Sequence, residues 1–308
     1  MDLKLLRAFV ELVDSGHYGK AAAKLCVTQS TLTKQIQALE SAVGGVLLER
    51  GRHGAKPTAL GEVLLAEARP LLAMSGEADA RLRRASAGLT GQLDIGFGIS
   101  MLIAAPALIA GFRQLVPDCQ ITLNDMASRE QHERLLASRL DVGFCRAPEA
   151  GGDLSFRPVI TEHLALVVPH GVVLPPPDRL DDLNALGFVA LAARRGPGLD
   201  AQIAAWCAGA GFRPRVIQQA DDILTVHAVV AAGLGAALLP WQGVEALGGR
   251  ARQRRLTGNG ASWPVGLCWR TADSNPLLKR FVEHVGQAAG STPPSPPAPS
   301  PRRDGRTS

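Results

Sequence analysis

No run of about 18 apolar residues occurs in this 308-residue chain, so nothing in it reads as a membrane-spanning helix. Cysteine is sparse: Cys26, Cys119, Cys145, Cys207 and Cys268 are odd in number and scattered, with no C-x-x-C pair. Such a set fits reduced thiols in a cytoplasmic protein better than a disulfide framework or a zinc site. Redox sensing through Cys145 or Cys207 is the rarer alternative, because most buried free cysteines are packing residues. The 7 histidines show no metal-ligand spacing, so no metal or resident cofactor is expected. Enzyme markers are missing as well. There is no Gly-x-Ser-x-Gly elbow, P-loop or His-Glu-x-x-His, and Gly96-Phe97-Gly98 lacks the third glycine of a dinucleotide fingerprint, with Met101 in its place. An α/β enzyme is therefore the weaker reading. A solute-binding protein with an accessory helical domain is weaker too, because MDLKLLRAFVELVDSG is amphipathic and partly acidic, unlike a signal peptide.

Charge is present but uneven. Of the formal net +5, residues 1–88 hold 12 Lys/Arg against 9 Asp/Glu, and 289–308 hold 3 Arg against 1 Asp. The middle, 89–288, carries 18 of each sign, so the basic excess belongs to the ends, as when one end meets a polyanion.

The N-terminal excess coincides with a pattern. Leu3, Leu6, Phe9, Val10 and Val13 mark an amphipathic helix ending at Ser15-Gly16, and KAAAKLCVTQSTLTKQIQALE (20–40) reads as two short helices joined by a turn. Leu32, Ile36, Leu39 and Val43 form a core-facing stripe, while Ser30, Thr33, Lys34 and Gln37 form a polar stripe beside Gln29. Thr28 is placed to cap the second helix, followed by Thr31 where a full capping box would have Glu or Gln. A helix face of amides, hydroxyls and one cation suits the major groove, where Gln pairs with adenine and Lys with guanine. The plain alternative is a helical hairpin with a solvated face. After Gly44-Gly45 comes a short ribbon carrying Arg50, Arg52, His53 and Lys56, placed like a wing that touches phosphates. Thr58 can cap a long helix to about Ala87 whose Leu64, Ala68, Leu71, Ser75, Ala78, Leu82, Ala85 and Leu89 alternate four and three apart. That seam suits pairing with a second copy, with a kink expected near Pro70.

From Gly91 strands and helices alternate: QLDIGFG, QITLNDM, DVGFC, LALVVP, GFVAL, RVIQQ, GAALLP and PVGLCWR are read as strands, with helices near 101–116, 129–138, 199–208, 223–232 and 276–288. This predicts a parallel α/β architecture in two lobes with a cleft for a small molecule. The Pro/Ser-rich tail 291–308 is expected to be disordered.

These features together resemble a LysR-type transcriptional regulator, from Met1 to about Ala289. The resemblance is carried by LLRAFVELVDSGHYGKAAAKLCVTQSTLTKQIQALE, ERGRHGAKPTALGE, GQLDIGF and VVAAGLGAALLP. It implies a winged helix-turn-helix over 1–58, a linker and dimerisation helix over 59–89, and a two-lobed effector-binding domain over 90–290 like periplasmic binding proteins. Lobe I would cover about 90–161 plus 267–290, and lobe II 162–266. It implies a homodimer or homotetramer at the nucleoid, double-stranded DNA with a T-N11-A type site, a small-molecule effector, and RNA polymerase as a further partner. Thr28, Gln29, Ser30, Thr31, Thr33, Lys34 and Gln37 would then face DNA, with Arg50, Arg52 and Lys56 on phosphates. Where the family usually has Ser-Gln-Pro-Ala-Leu-Ser-Arg this chain has Thr28 to Lys34, so the base preference is its own: the N–H of Ser30 is free and Lys34 lacks the fork of Arg. His17 stands where a Ser would cap the preceding helix. The motifs GFGISML, ASREQ and DVGFCR resemble the branch that answers aromatic-catabolism carboxylates such as benzoate or muconate. That match implies effector contacts from Ser100, Met101, Ser128, Arg146, Arg195 and Pro197. The alternatives are that Ser100 and Ser128 are simple N-caps and that Arg146 pairs with Asp141 or Glu149.

Overall fold

The computed structural model describes residues 2–51, 54–149, 152–249 and 251–290. The chain divides into two compact units, Met1–Arg84 and Ala85–Ser308.

In the first unit, helix α1 (Leu3–Ser15) is started by Asp2, whose carboxylate accepts from the N–H of Lys4 at 2.8 Å, and is stopped by Gly16 in the left-handed region. Helices α2 (Tyr18–Lys24) and α3 (Gln29–Val43) follow, then strands β1 (Leu48–Gly51) and β2 (Gly54–Pro57), then helix α4 (Ala59–Ser86). Leu6, Phe9 and Leu12 of α1 pack with Ala21 and Ala22 of α2 and Leu32, Ile36 and Leu39 of α3. Burying each of the larger side chains contributes about 1.5–3 kcal/mol, and the two alanines let α2 approach closely. The expected caps form: Thr28 Oγ1 accepts from the N–H of Thr31 at 3.2 Å, and Thr58 Oγ1 from that of Gly61 at 3.0 Å. His17 supplies no side-chain cap to α2. The ribbon is antiparallel, with Glu49 opposite Lys56, and the N–H of Ala55 donates to the Gly16 carbonyl at 2.8 Å. Gly61 packs so tightly on the chain just before β1 that a Cβ would overlap the Leu47 carbonyl oxygen. Helix α4 stays helical through Pro70, and its Leu64 and Ala68 are used up by the unit's own core.

The second unit runs β3 (Gly91–Phe97), a 3-10 turn (Ile99–Met101), α5 (Ala104–Leu115), β4 (Cys119–Asp125), α6 (Ser128–Leu136), β5 (Val142–Arg146), β6 (Leu154–Pro169) and a 3-10 segment (Pro177–Asn184). It continues with β7 (Phe188–Leu191), α7 (Pro197–Ala210), β8 (Val216–Ala220), α8 (Ile223–Ala231), β9 (Ala237–Pro240), α9 (Trp241–Leu247), β10 (Ala251–Arg255), β11 (Ser262–Arg270) and α10 (Pro276–Gly290). The main sheet has the order β10-β6-β11-β5-β3-β4, with β9 also on β6, and β7-β8 form a separate pair.

The expectation of a parallel sheet is corrected here. β3 runs parallel to β4 and β5, but β11 is antiparallel to both β5 and β6, and β6 is antiparallel to β9 and β10. The cause is β6, a 16-residue strand. Up to His163 it pairs with β11; from Leu164 onward it pairs with β9 and β10. One strand thus serves two lobes, and β11 rejoins the first of them from Ser262, ahead of the expected re-entry at 267. Gly266 sits at the register shift against β6, where a Cβ would overlap the Arg157 carbonyl oxygen. Phe112, Phe144 and Phe281 fill the first lobe, with Phe112 and Phe281 edge to face at 5.1 Å.

Candidate functional sites

The outward face of α3 carries polar side chains in two states. Thr28 Oγ1 lies 3.0 Å from Ser30 Oγ and 2.8 Å from Thr31 Oγ1, so these three hydroxyls hold one another at the helix start. The Thr33 hydroxyl donates to the Gln29 carbonyl at 2.9 Å, which turns its polar end to the backbone and leaves its methyl outward. Gln29, Lys34 and Gln37 are exposed, with no partner among the described residues. They are the free donors and acceptors of the face, beside a threonine methyl that can meet a thymine methyl. Lys56 is exposed on β2, whereas the side chain of Arg50 and the whole of Arg52 and His53 lie outside the described residues.

In the second unit Arg146 ends β5 and spans from one lobe to the other. Its Nη1 donates to Gln202 Oε1 of α7 at 3.0 Å, its guanidinium carbon stands 4.0 Å from the centre of the Trp263 ring, and its backbone N–H donates to Ser128 Oγ at 3.1 Å. Burial pulls its pKa down to about 10, and only the nearby Glu162 works against that shift. Neither Asp141 nor Glu149 pairs with it. Asp141 instead accepts from the N–H of Asp94 at 2.8 Å and lies 3.9 Å from Arg270.

Glu162 is fully buried at the point where β6 changes partners. Its Oε1 accepts from the N–H groups of His163 at 2.8 Å and Gln242 at 3.1 Å, while Oε2 has no hydrogen-bond partner among the described residues. Burial raises its pKa, opposed first by the Ser100 hydroxyl, then by those two N–H groups and the Arg146 charge. Ser100 and Arg146 thus come together around a carboxylate that sequence reasoning did not single out. Nothing in the polar, proline-containing start of β6 marks it, and Trp263 and Gln202 carry no local signal either.

The other expected residues fall differently. Ser128 opens α6, and its hydroxyl holds Arg146 and does not close its own helix. The Met101 side chain is fully buried in the lobe core and its N–H donates to the Gly98 carbonyl at 2.9 Å. Arg195 is exposed, donates to the Asp221 carbonyl at 3.1 Å, and lies near enough to Asp125 to oppose the rise that burial gives that carboxyl. Pro197 is the first residue of α7. An apolar cavity of about 680 Å³ lies on the other side of α7, between Leu199, Ile203 and Cys207 and the residues Phe188, Leu191 and Phe212; none of Ser100, Ser128 or Arg146 lines it. The Cys207 thiol there is pushed up to about 11 by burial alone, which does not suit a redox sensor.

Behind Arg146 the fold gathers His132, Cys145 and Cys268, whose ligand atoms lie within 4.8 Å of one another. In this trio the neighbouring Cys268 and burial raise the Cys145 thiol, while Cys145 and His132 draw Cys268 down to about 6. Spacing along the chain gave no hint of it.

Residues 86–290 match the family model for the LysR substrate binding domain, and residues 3–62 match that for the bacterial regulatory helix-turn-helix protein, lysR family. The HTH-type transcriptional regulator TcbR of Pseudomonas sp. (strain P51) is 29% identical over 292 residues, covering 94% of this chain and 99% of its own length. TfdS, an HTH-type transcriptional regulator of Cupriavidus pinatubonensis (strain JMP 134 / LMG 1197), is 30% identical over 299 residues with the same coverage, 94% and 99%. Among solved structures, full-length CbnR complexed with its target DNA superposes with a TM-score of 0.72 at 28% identity, over 94% of this chain and 100% of that one. The helix-turn-helix with its exposed α3 face, the two-lobed α/β unit and these matches converge: the chain belongs to the LysR family and is a ligand-responsive transcriptional regulator.

Proposed function

We propose that this regulator binds operator DNA through α3 and the ribbon, and that a small carboxylate between its two lobes alters that binding. The observation that carries the effector reading is Arg146. It is a half-buried cation with no carboxylate at ion-pairing distance among the described residues, beside the start of α6. A desolvated guanidinium next to a helix N-terminus favours a planar anion. Ser100, Ser128 and Arg146 are the inner contacts on this reading, with Arg195 and Pro197 at the rim and Met101 contributing only packing.

For the DNA side, Gln29, Lys34 and Gln37 read bases, the Thr33 methyl adds an apolar contact, and Thr28, Ser30 and Thr31 hold the helix end. Lys56, with Arg50 and Arg52, meets phosphates. The DNA complex of CbnR supports this assignment. Domain limits of 1–58, 59–89 and 90–290, assembly as a homodimer or homotetramer through α4, and contact with RNA polymerase complete the reading. Effector binding shifts the balance between lobe arrangements, and through the assembly changes how sharply the bound DNA bends.

The test is Arg146→Ala in the full chain. With a T-N11-A operator and a thermal-shift screen of aromatic and hydroxylated carboxylates, the wild type gains melting temperature and changes its DNA complex with an active compound. The variant keeps wild-type operator affinity and loses both responses. A variant that still responds removes Arg146 from the effector site.

A further inference from the structure

We infer that His132, Cys145 and Cys268 form a binding site for one thiophilic metal ion with a filled d shell, Zn2+ or Cu+, within the first lobe. The three donors come from three elements, α6, β5 and β11, so the fold and not a local motif assembles them. Across the ladder Cys145 faces Gly266 and Cys268 faces Gly143, which puts both thiols on one side of the sheet, on a diagonal, each opposite a residue with no side chain. His132 Nε2 reaches down from α6 to 3.3 Å from Cys145 Sγ, and all three ligand atoms fall within 4.8 Å. Zinc bonds of about 2.3 Å to sulfur and 2.0–2.1 Å to nitrogen, at tetrahedral angles, put ligand atoms about 3.5–3.8 Å apart, so the trio closes on an ion with an adjustment of about 1 Å. Two sulfurs and one imidazole, with no carboxylate in the set, select soft ions over Mg2+ or Ca2+. Both thiols are buried, which keeps competing water away, while His132 is half-buried and offers the way in.

Binding has a defined proton balance. Both sulfurs bind as thiolates: Cys145 gives up its proton to solvent, Cys268, already drawn down to about 6, is largely ionised beforehand, and the imidazole binds through the Nε2 lone pair with its remaining proton on Nδ1. Without an ion, Nε2 must carry the hydrogen, because it lies 3.1 Å from the Arg146 carbonyl oxygen, which can only accept. Metal binding therefore moves the imidazole proton to Nδ1 and breaks that bond. The residue released is Arg146, so occupancy of this site acts on the wall of the cleft. The site itself does not depend on the effector reading.

The test uses the full chain, reduced under argon, carrying Cys26→Ala to remove its exposed thiol. Co2+ serves as a spectroscopic probe and Zn2+ is titrated against a chromogenic chelator. One equivalent per chain is expected, with a thiolate-to-Co2+ charge-transfer band in the near ultraviolet and protons released on binding. Cys268→Ser and His132→Gln are each expected to weaken binding at least about tenfold, since each removes one of three ligands. His132→Gln leaves the buried thiols in place and decides the matter if Cys268→Ser does not fold. Absence of the charge-transfer band, or a band and affinity unchanged in folded His132→Gln, overturns the site.

Discussion

Arg146 and Glu162 are opposite charges that share one buried neighbourhood without touching through an ion pair, and each is perturbed by the loss of water. Burial holds the Glu162 carboxyl above its ordinary 4.5 in the folded protein. Between 4.5 and that raised native value the folded state binds the proton more tightly than the unfolded chain, so stability falls as pH rises through this window. Glu162→Gln is expected to flatten that part of a melting-temperature against pH curve, and an unchanged slope would assign the titration to another group. A second residue-scale prediction concerns Gly61. Its Cβ would overlap a backbone oxygen that cannot swing away, so Gly61→Ala is expected to destabilise the N-terminal unit by about 1–3 kcal/mol, read as a lowered unfolding midpoint in urea. Residues of these two kinds differ in legibility. Thr28 and Thr58 could be read as caps because a cap acts within three residues of itself. Glu162, Trp263, Gln202 and the His132–Cys145–Cys268 trio could not, because strand pairing and the placing of α6 and α7 bring them together.

At the scale of elements, α3 is presented through its cap and its buried stripe. Thr28→Ala removes the acceptor of the Thr31 N–H and loosens Ser30 and Thr31 together. It is expected to cost about 1 kcal/mol of stability and to weaken operator binding more than that loss alone explains, measured by chemical unfolding beside fluorescence anisotropy. Helix α4 was read from its seam, and the structure divides that seam. Leu64 and Ala68 pack at home, while Leu71 at 42% exposure and Leu82 at 68% have nothing to cover them within their own unit, nor has Met74 at 65%, which lies beside the seam. Leu71→Lys with Leu82→Lys is expected to shift the protein toward monomer in sedimentation velocity; an unaltered assembly would move the interface elsewhere. Elements that the sequence hid share a cause. The first half of β6 is interrupted by Arg157 and Pro158, and β10 is ARQRR, so neither has the sustained apolar run or alternation by which strands are recognised. Helix α9 is 7 residues long, too short for periodicity to show.

For the whole molecule, the order of a helix-turn-helix, a long helix and an α/β unit was legible because each part announces itself locally, in the α3 stripe, the α4 seam and the strand–helix alternation after Gly91. The direction of the strands was not, because the alternation is the same for a parallel sheet and for a mixed sheet in which β6 and β11 serve as long antiparallel members. Contact between the basic N-terminal face and DNA is tested by the salt dependence of operator affinity for the wild type and Lys56→Ala. Log K is expected to fall linearly with log salt at about −0.9 per phosphate contacted, and Lys56→Ala to make the slope shallower by about 0.9 per bound copy without changing the preferred sequence. Binding that is indifferent to salt, or a slope that Lys56→Ala leaves untouched, would contradict it.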